Sequence, residues 1–457
     1  MLHKTAASTW KATLALVFAC VLALAGCGAS GSTASTADAS ASTTEQSTAA
    51  STADSAASST SSSTADDSAA TAAAADEATA FPSWKADSAS LKALVEYVNA
   101  VTDESSPDYV APEDRIATFD MDGTIICEKA PFYVDWCMLN NRVLDNPSYN
   151  EPEYKPSPET VKICQGIRDT INAGEKPSEQ QEKDKARLIA SEFAGLTPAQ
   201  FREFARNFLE SVDAVGFDGM TYGKSFYQPM LEVIRYLQAK DFDVWMVSAC
   251  EREFVRAAVP LELNIAPDHI IGTDVAYAST KQGDEAFDKY NMGQDETIVL
   301  AEPLLQETAK TGKSIAIERE IGKRPILAFG NSSGDYSMLN YAQSNPDHKG
   351  MGVLVLCDDL EREYGDAERA KEQTAEAEKE GWVLFHMSDE DWATIYGEGV
   401  SKTELPGAAT KAEETKAEET KADEESADAA DAAEAESDAN SAAEQTQSEE
   451  TELAEAA

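Results

Sequence analysis

The sequence predicts an α/β fold, a doubly wound parallel sheet with one large insertion. Three observations carry that expectation. Short apolar runs bounded by polar residues recur at 115–126, 243–248, 325–330, 352–357 and 382–386, and such runs read as buried strands. Stretches with helical spacing separate them, and strands alternating with helices imply a parallel sheet wound in both directions. Finally, both ends of the chain are too poor in branched and aromatic residues to bury a core, which leaves a middle of about 320 residues for one α/β domain with an insertion.

From the N-terminus, Lys4 and Lys11 give a positive start, and residues 12–23 form an apolar run. That run is too short to span a bilayer comfortably and has the pattern of a signal peptide. Leu24-Ala25-Gly26-Cys27 follows directly and resembles the lipobox of bacterial lipoproteins. The resemblance implies that residues 1–27 are a lipoprotein signal peptide and that Cys27 is lipidated and becomes the new N-terminus. The protein would then be exported and lipid-anchored to the outer face of the bacterial cytoplasmic membrane. Residues 28–80 are almost entirely Ser, Thr, Ala and Asp, a composition that stays disordered. As a flexible tether of roughly 50 residues they would span about 40 Å. Residues 401–457 contain near-repeats, Lys411-Ala-Glu-Glu-Thr and Lys416-Ala-Glu-Glu-Thr, and are expected to form a disordered acidic tail.

The middle, residues 81–400, opens with a helix over 89–100 whose Leu91, Leu94, Val95 and Val98 share a face. The 115–126 strand follows. Residues 130–225 read as mostly helical, with breaks at Pro147, Pro152, Pro156 and Pro158. Pro198 sits at a helix start after Thr197, and Phe201, Phe204, Ala205, Phe208 and Leu209 line one side. A helix over 226–240 precedes the strand that ends at Ser248, and another covers 251–258. Shorter strand candidates lie at 270–271 and 297–300. The strand at 325–330 runs into Asn331-Ser-Ser-Gly-Asp335 and a helix carrying Met338 and Leu339.

Composition excludes several functions. The formal net charge is −46, and the middle is acidic as well, so no basic patch exists to meet the phosphates of a nucleic acid. Of seven cysteines, Cys20 and Cys27 fall in the signal region. Cys127, Cys137, Cys164, Cys250 and Cys357 have no close spacing, so neither a disulfide framework nor a zinc site is indicated. The four histidines, His3, His269, His348 and His386, are scattered. A histidine metal centre or a Ser/His/Asp triad has little support.

The chemistry concentrates at strand ends. Asp120 and Asp122 follow an apolar strand one residue apart. The carboxyl edge of a parallel sheet is where α/β proteins place ligands, and paired carboxylates there are costly unless they hold a cation or react. The bland alternative is a solvated Asp-x-Asp turn. Asp120 can serve as a carboxylate nucleophile, and Asp122 can protonate a leaving alkoxide and later activate water. Ser248 offers a hydroxyl to a phosphoryl oxygen, and Lys313, or else Lys323, offers a positive charge. Asn331 and Asp335 offer oxygens to a hard cation, for which Mg²⁺ fits best.

The order Asp120-Met-Asp122-Gly-Thr124, Ser248, Lys313, Gly330-Asn331-Ser-Ser-Gly-Asp335 resembles the haloacid dehalogenase superfamily of phosphatases, over most of residues 85–400. The resemblance implies a Rossmann-like core with an inserted α-helical cap at about 130–225, in the position found in the phosphoserine phosphatase-like branch. It implies Asp120 and Asp122 as catalytic residues, Ser248 and Lys313 as phosphate-binding, and Mg²⁺ held by Asp120, Asp122, Asn331 and Asp335. The second Asp of the first motif points to phosphatases rather than dehalogenases. Lys313 lies 18 residues before Asn331, close to the family's interval, whereas Lys323 lies at the wrong end of a strand. Asn331 departs from the acidic residue usual at its place. Either the metal binds more weakly, or Asp335 carries more of the load.

The expected activity is therefore a Mg²⁺-dependent phosphomonoester hydrolase, working through an aspartyl-phosphate on small extracellular phosphomonoesters. Glu128, Lys129, Phe132, Tyr133 and Trp136 should face the cap. Phosphoserine phosphatases hold the substrate ammonium with a Glu near here, but Glu128 sits one place off that pattern. The aromatic residues either cage a quaternary ammonium, as phosphorylcholine would need, or pack the cap on the core. A phosphotransferase, or a surface lipoprotein that only binds a phosphorylated ligand, are the alternatives.

Overall fold

The computed structural model describes residues 79–147, 151 and 153–407. The signal peptide with Cys27, nearly all of the expected tether, Pro152 and the acidic repeats beyond residue 407 lie outside the described residues.

The first helix, α1 (Ala89–Thr102), starts at Ser88, whose hydroxyl accepts the Leu91 N–H, and it buries Leu94, Val95, Val98 and Val101. Strand β1 (Ile116–Phe119) is buried along its whole length. After it come the helices α2 (Val134–Asn140), α3 (Pro158–Asn172), α4 (Glu179–Glu192) and α5 (Pro198–Ser211). In α5, Thr197 and Gln200 satisfy each other's backbone N–H groups in a capping box, with Pro198 in the first turn. The apolar face read from the sequence, Phe201 through Leu209, is the buried face.

Helix α6 (Gln228–Ala239) leads to β2 (Asp243–Glu251) and α7 (Arg252–Ala258). Strands β3 (Ile270–Ser279) and β4 (Ile298–Gln306) follow, then α8 (Thr311–Glu320), β5 (Leu327–Gly330) and α9 (Tyr336–Gln343). The last elements of the sheet layer are β6 (Met351–Leu356), α10 (Ala367–Glu380) and β7 (Val383–His386).

The seven strands are ordered β4-β3-β2-β1-β5-β6-β7. All neighbours are parallel except β3 and β4. Both faces are covered. Leu327, Phe329, Val353 and Val355 pack into one apolar cluster, while Ala328, Leu354 and Leu356 pack into another on the opposite face. That is the burial expected of a parallel sheet between helix layers. Phe119 and Phe329 stack at 4.2 Å across β1 and β5. The chain runs outward from β1 to β4, then returns to β5 on the other side of β1. The strand order therefore reverses at β1, and the crevice beyond its carboxyl end is where such sheets bind ligands.

Three expectations need correction. The short strand candidates at 270–271 and 297–300 are ten- and nine-residue strands that pair antiparallel at the sheet edge. Strand β2 continues past Ser248 to Glu251, with a register break against β3 between Val247 and Glu251. The ordered body also extends beyond residue 400. Ser401–Lys402 pairs antiparallel with Phe217–Asp218, and the Gly407 N–H donates to the Asn172 carbonyl at 2.8 Å. Backbone pairing of polar residues leaves no compositional trace, so a boundary drawn from composition stops short.

Candidate active site

The site is built on two adjacent strand ends. At the end of β1, the Asp120 N–H donates to the Phe329 carbonyl of β5 at 3.0 Å. The chain then turns tightly, with the N–H groups of Thr124, Ile125 and Ile126 all aimed at the Met121 carbonyl. Gly123 makes the turn at φ +75°, a conformation that favours glycine. A Cβ there would also overlap the Asn331 side chain. The turn brings the Thr124 hydroxyl to Asp120 Oδ2 at 3.3 Å.

Lys313, from the first turn of α8, is 1% exposed. Its ammonium donates to Asp120 Oδ1, to Asp335 Oδ1 at 2.7 Å and to the Val247 carbonyl at 2.6 Å. An ammonium has three donors, so all are committed to protein acceptors. Lys313 thus acts as a strut for Asp120, with its charge beside the Asp120 and Asp335 carboxyl groups. Lys323 lies at the opposite end of the sheet, exposed and paired with Asp114 at 2.7 Å.

Asp335 is equally committed. Its Oδ1 meets Lys313, and its Oδ2 accepts the N–H groups of Asn331 and Ser332, both at 3.0 Å. It shapes the loop after β5 and holds Lys313, with both of its oxygens engaged by the protein. Asn331 is 2% exposed, and its Nδ2 donates to Glu128 Oε2 at 2.9 Å. Ser248 is fully buried beneath the site, where its Oγ accepts the Cys250 N–H at 3.1 Å. The neighbouring Ala249 and Cys250 line the cavity instead.

These groups open on a cavity of about 540 Å³ that includes Asp120, Asp122, Lys313, Asn331 and Asp335. Burial, and then the Asp335 charge, push the Asp120 carboxyl up to about 7, against the pull of Lys313. Burial alone would lower the Lys313 pKa, but Asp120 and Asp335 hold it above the ordinary lysine value. Asp120 and Asp335 share the Lys313 ammonium, and acidic side chains outnumber basic ones along the cavity wall. Oxygens of Asp120, Asp122 and Asn331 form a donor set that suits a small hard cation. Among the described residues no cluster of three or more His, Cys, Asp or Glu side chains is already arranged around a metal position. The pocket therefore offers charge and oxygens rather than a closed cage.

Several cavity residues carry no signal in the sequence. Asp122 Oδ2 accepts a hydrogen bond from the Cys250 thiol at 3.0 Å. Lys185, from α4, pairs with Asp135 of α2 and lies 5.6 Å from the centre of the Trp136 ring. Tyr133 and Trp136 line the cavity, whereas Phe132 is buried against Tyr222 at 4.6 Å. The aromatic residues thus divide: Phe132 packs, and the ammonium beside Trp136 is the chain's own. Arg369, from α10, lines the cavity and pairs with Glu128 at 3.0 Å. Lys185 and Arg369 sit in strongly charged helices that read as solvated, so no spacing rule would single them out.

Comparison with known proteins adds the following. None of the curated proteins matches. Solved structures that match include a conserved protein of unknown function from Anaerococcus prevotii, with 15% identity, 65% of this chain and 91% of that one covered, and a TM-score of 0.38. A HAD family hydrolase of Salmonella enterica serovar Typhi has 13% identity over 57% of this chain and 65% of that one, with a TM-score of 0.29. A phosphoserine phosphohydrolase-like protein of Francisella tularensis has 14% identity over 57% of this chain and 92% of that one, with a TM-score of 0.29. Residues 117–340 match the family model of haloacid dehalogenase-like hydrolases, a span that runs from β1 to α9 and holds every strand-end residue described above. Over that span, just under half of the chain, the sequence is similar to that family, and its α/β core has the haloacid dehalogenase-like fold.

Proposed function

We propose that this protein is a Mg²⁺-dependent phosphomonoesterase that works through an aspartyl-phosphate on Asp120. The observation that carries the reading is the pairing of Asp120 with Lys313 at the carboxyl end of β1, with Asp122 two residues on and facing the same cavity. A carboxylate held by a buried ammonium is a placed nucleophile.

The residues would act in order. An Asp120 carboxylate oxygen forms a bond to phosphorus while the phosphorus–oxygen ester bond breaks. The Asp122 carboxyl gives its proton to the leaving alkoxide. Asp122 then takes a proton from water as that water attacks the aspartyl-phosphate, which returns Asp120 and releases inorganic phosphate. Lys313 holds Asp120 throughout, and Ser248 fixes the backbone at Cys250 beneath the phosphoryl position. Oxygens of Asp120, Asp122 and Asn331 would hold Mg²⁺. The bound cation supplies the positive charge that the carboxylates lack and offsets charge developing on the phosphoryl oxygens.

The substrates proposed are small phosphomonoesters, with phosphoserine and phosphorylcholine as candidates, on the pattern of the phosphoserine phosphatase-like branch. With the lipobox-like residues before Cys27, the enzyme would meet them outside the cytoplasmic membrane. Phosphate release by the full-length chain, on a panel that also includes sugar phosphates, tests the reading. Turnover should need Mg²⁺, vanish in Asp120→Asn and fall by about 10²–10⁴-fold in Asp122→Asn. Tight binding of a phosphorylated ligand with no turnover on any ester would favour a binding lipoprotein, the reading to which the neutral Asn331 lends itself.

A further inference from the structure

The Asn331 side chain has one atom that can serve a cation, its amide oxygen, and one that cannot. What decides which of them faces the pocket is the environment of Nδ2. That nitrogen lies over Gly123, where only the absence of a Cβ leaves room. It donates to Glu128 Oε2 at 2.9 Å. A carboxylate only accepts hydrogen bonds, so the opposite amide orientation would set two acceptors against each other.

Glu128 is itself fixed. It is 4% exposed, and the same Oε2 pairs with Arg369 Nη1 at 3.0 Å. Arg369 Nη2 donates in turn to the Asn331 carbonyl at 3.1 Å, and Gln373 Nε2 donates to that carbonyl at 2.5 Å. Asn331 is therefore held at its backbone by α10 and at its side-chain nitrogen by Glu128. The position at 128, after the first strand, serves the loop after β5.

We propose that Glu128 is a positioning residue for the cation. It holds the Asn331 amide so that Oδ1, and not Nδ2, is presented beside Asp120 and Asp122. The assignment rests on the metal-dependent reading above, and it explains how a neutral residue can stand where a carboxylate would need no orienting. An aspartate at 331 has two equivalent oxygens, but here one of them would face the Glu128 carboxylate. Asn331 and Glu128 therefore form a matched pair.

The test is calorimetric titration of MgCl₂ into the full-length chain without substrate, on wild type, Glu128→Gln, Asn331→Asp and the double variant. Loss of an outer partner of a metal ligand lowers affinity about 10–100-fold, and that is the loss expected for Glu128→Gln, whose amide bonds either end of Asn331. Asn331→Asp alone should gain no affinity, whereas Asn331→Asp with Glu128→Gln should recover at least wild-type affinity. Glu128→Asp keeps the charge but withdraws the acceptor, so it should lose affinity too, and it supplies the reading if Glu128→Gln does not fold. Wild-type affinity in Glu128→Gln, or simple additivity in the double variant, overturns the pairing alone. A wild-type chain that binds no Mg²⁺ overturns the metal-dependent reading and this inference with it.

Discussion

Replacing Lys313 with methionine removes the ammonium that pairs with both Asp120 and Asp335 while keeping most of the side-chain volume. Asp120, Lys313 and Asp335 are 6%, 1% and 1% exposed, so water cannot screen what remains. Breaking a buried ion pair by removing one partner costs about 3–5 kcal/mol, because the other charge stays buried without compensation. At about 2 °C per kcal/mol for a chain of this size, Tm should fall by about 6–10 °C. The loss should depend on pH. Lys313 is the group that pulls the Asp120 carboxyl down, and that carboxyl already stands at about 7. Without Lys313 it rises further, so the folded state keeps a proton that the unfolded chain has lost. A carboxyl raised in this way loses stability as pH rises from the unfolded value towards the folded one. The deficit should therefore be larger near pH 8 than near pH 5. Thermal unfolding of both chains at those two values measures it. A deficit below about 1 kcal/mol, or one equal at both pH values, would refute a charge-balanced core around Asp120.

Other perturbations have outcomes as definite. Burial pushes the Glu251 carboxyl up to about 8, so it too weakens the fold as pH rises from about 4.5 towards 8. Glu251→Gln keeps an oxygen for the Phe254 N–H and should flatten that slope in urea unfolding at pH 5 and pH 8. Lys185→Met removes a cavity ammonium paired with Asp135, and a charged contact worth about 1.5–3 kcal/mol predicts a KM rise of about 10–100-fold for the best ester. An unchanged KM would take Lys185 out of substrate binding. Gly123→Ala forces a Cβ into Asn331 at a positive φ, so Mg²⁺ affinity and turnover should fall together, and their separation would show that the loop after β5 can yield.

Much of the fold was legible because burial was written in consecutive residues. Residues Ile116–Phe119 and Leu327–Gly330 are buried at every position, and strands covered on both faces read as unbroken apolar runs. Strand β4 was nearly invisible for the opposite reason. It is an edge strand whose Glu302, Pro303 and Leu305 are exposed, so its apolar run breaks off after residue 301 and only 297–300 read as a candidate. In the site, Asp120, Asp122 and Asn331 announced themselves at strand ends, while Lys313 needed an interval to separate it from Lys323. Lys185 and Arg369 stayed hidden, since only the folded packing of α4 and α10 turns an ordinary charged helix face into a cavity wall. The division of labour at Asp335 was hidden as well. Its two oxygens are claimed by Lys313 and by the loop's own N–H groups, which spacing in the chain does not reveal.

The central claim is that Asp120 attacks phosphorus, and the most direct test is to catch the bond. The full-length chain with Mg²⁺ and its best ester, quenched in acid within one turnover and digested, should yield the peptide containing Asp120 heavier by one phosphoryl group. The same peptide from Asp120→Asn should carry none. Turnover of the ester with that peptide unmodified at every quench time, or turnover by Asp120→Asn at the wild-type rate, would contradict the account.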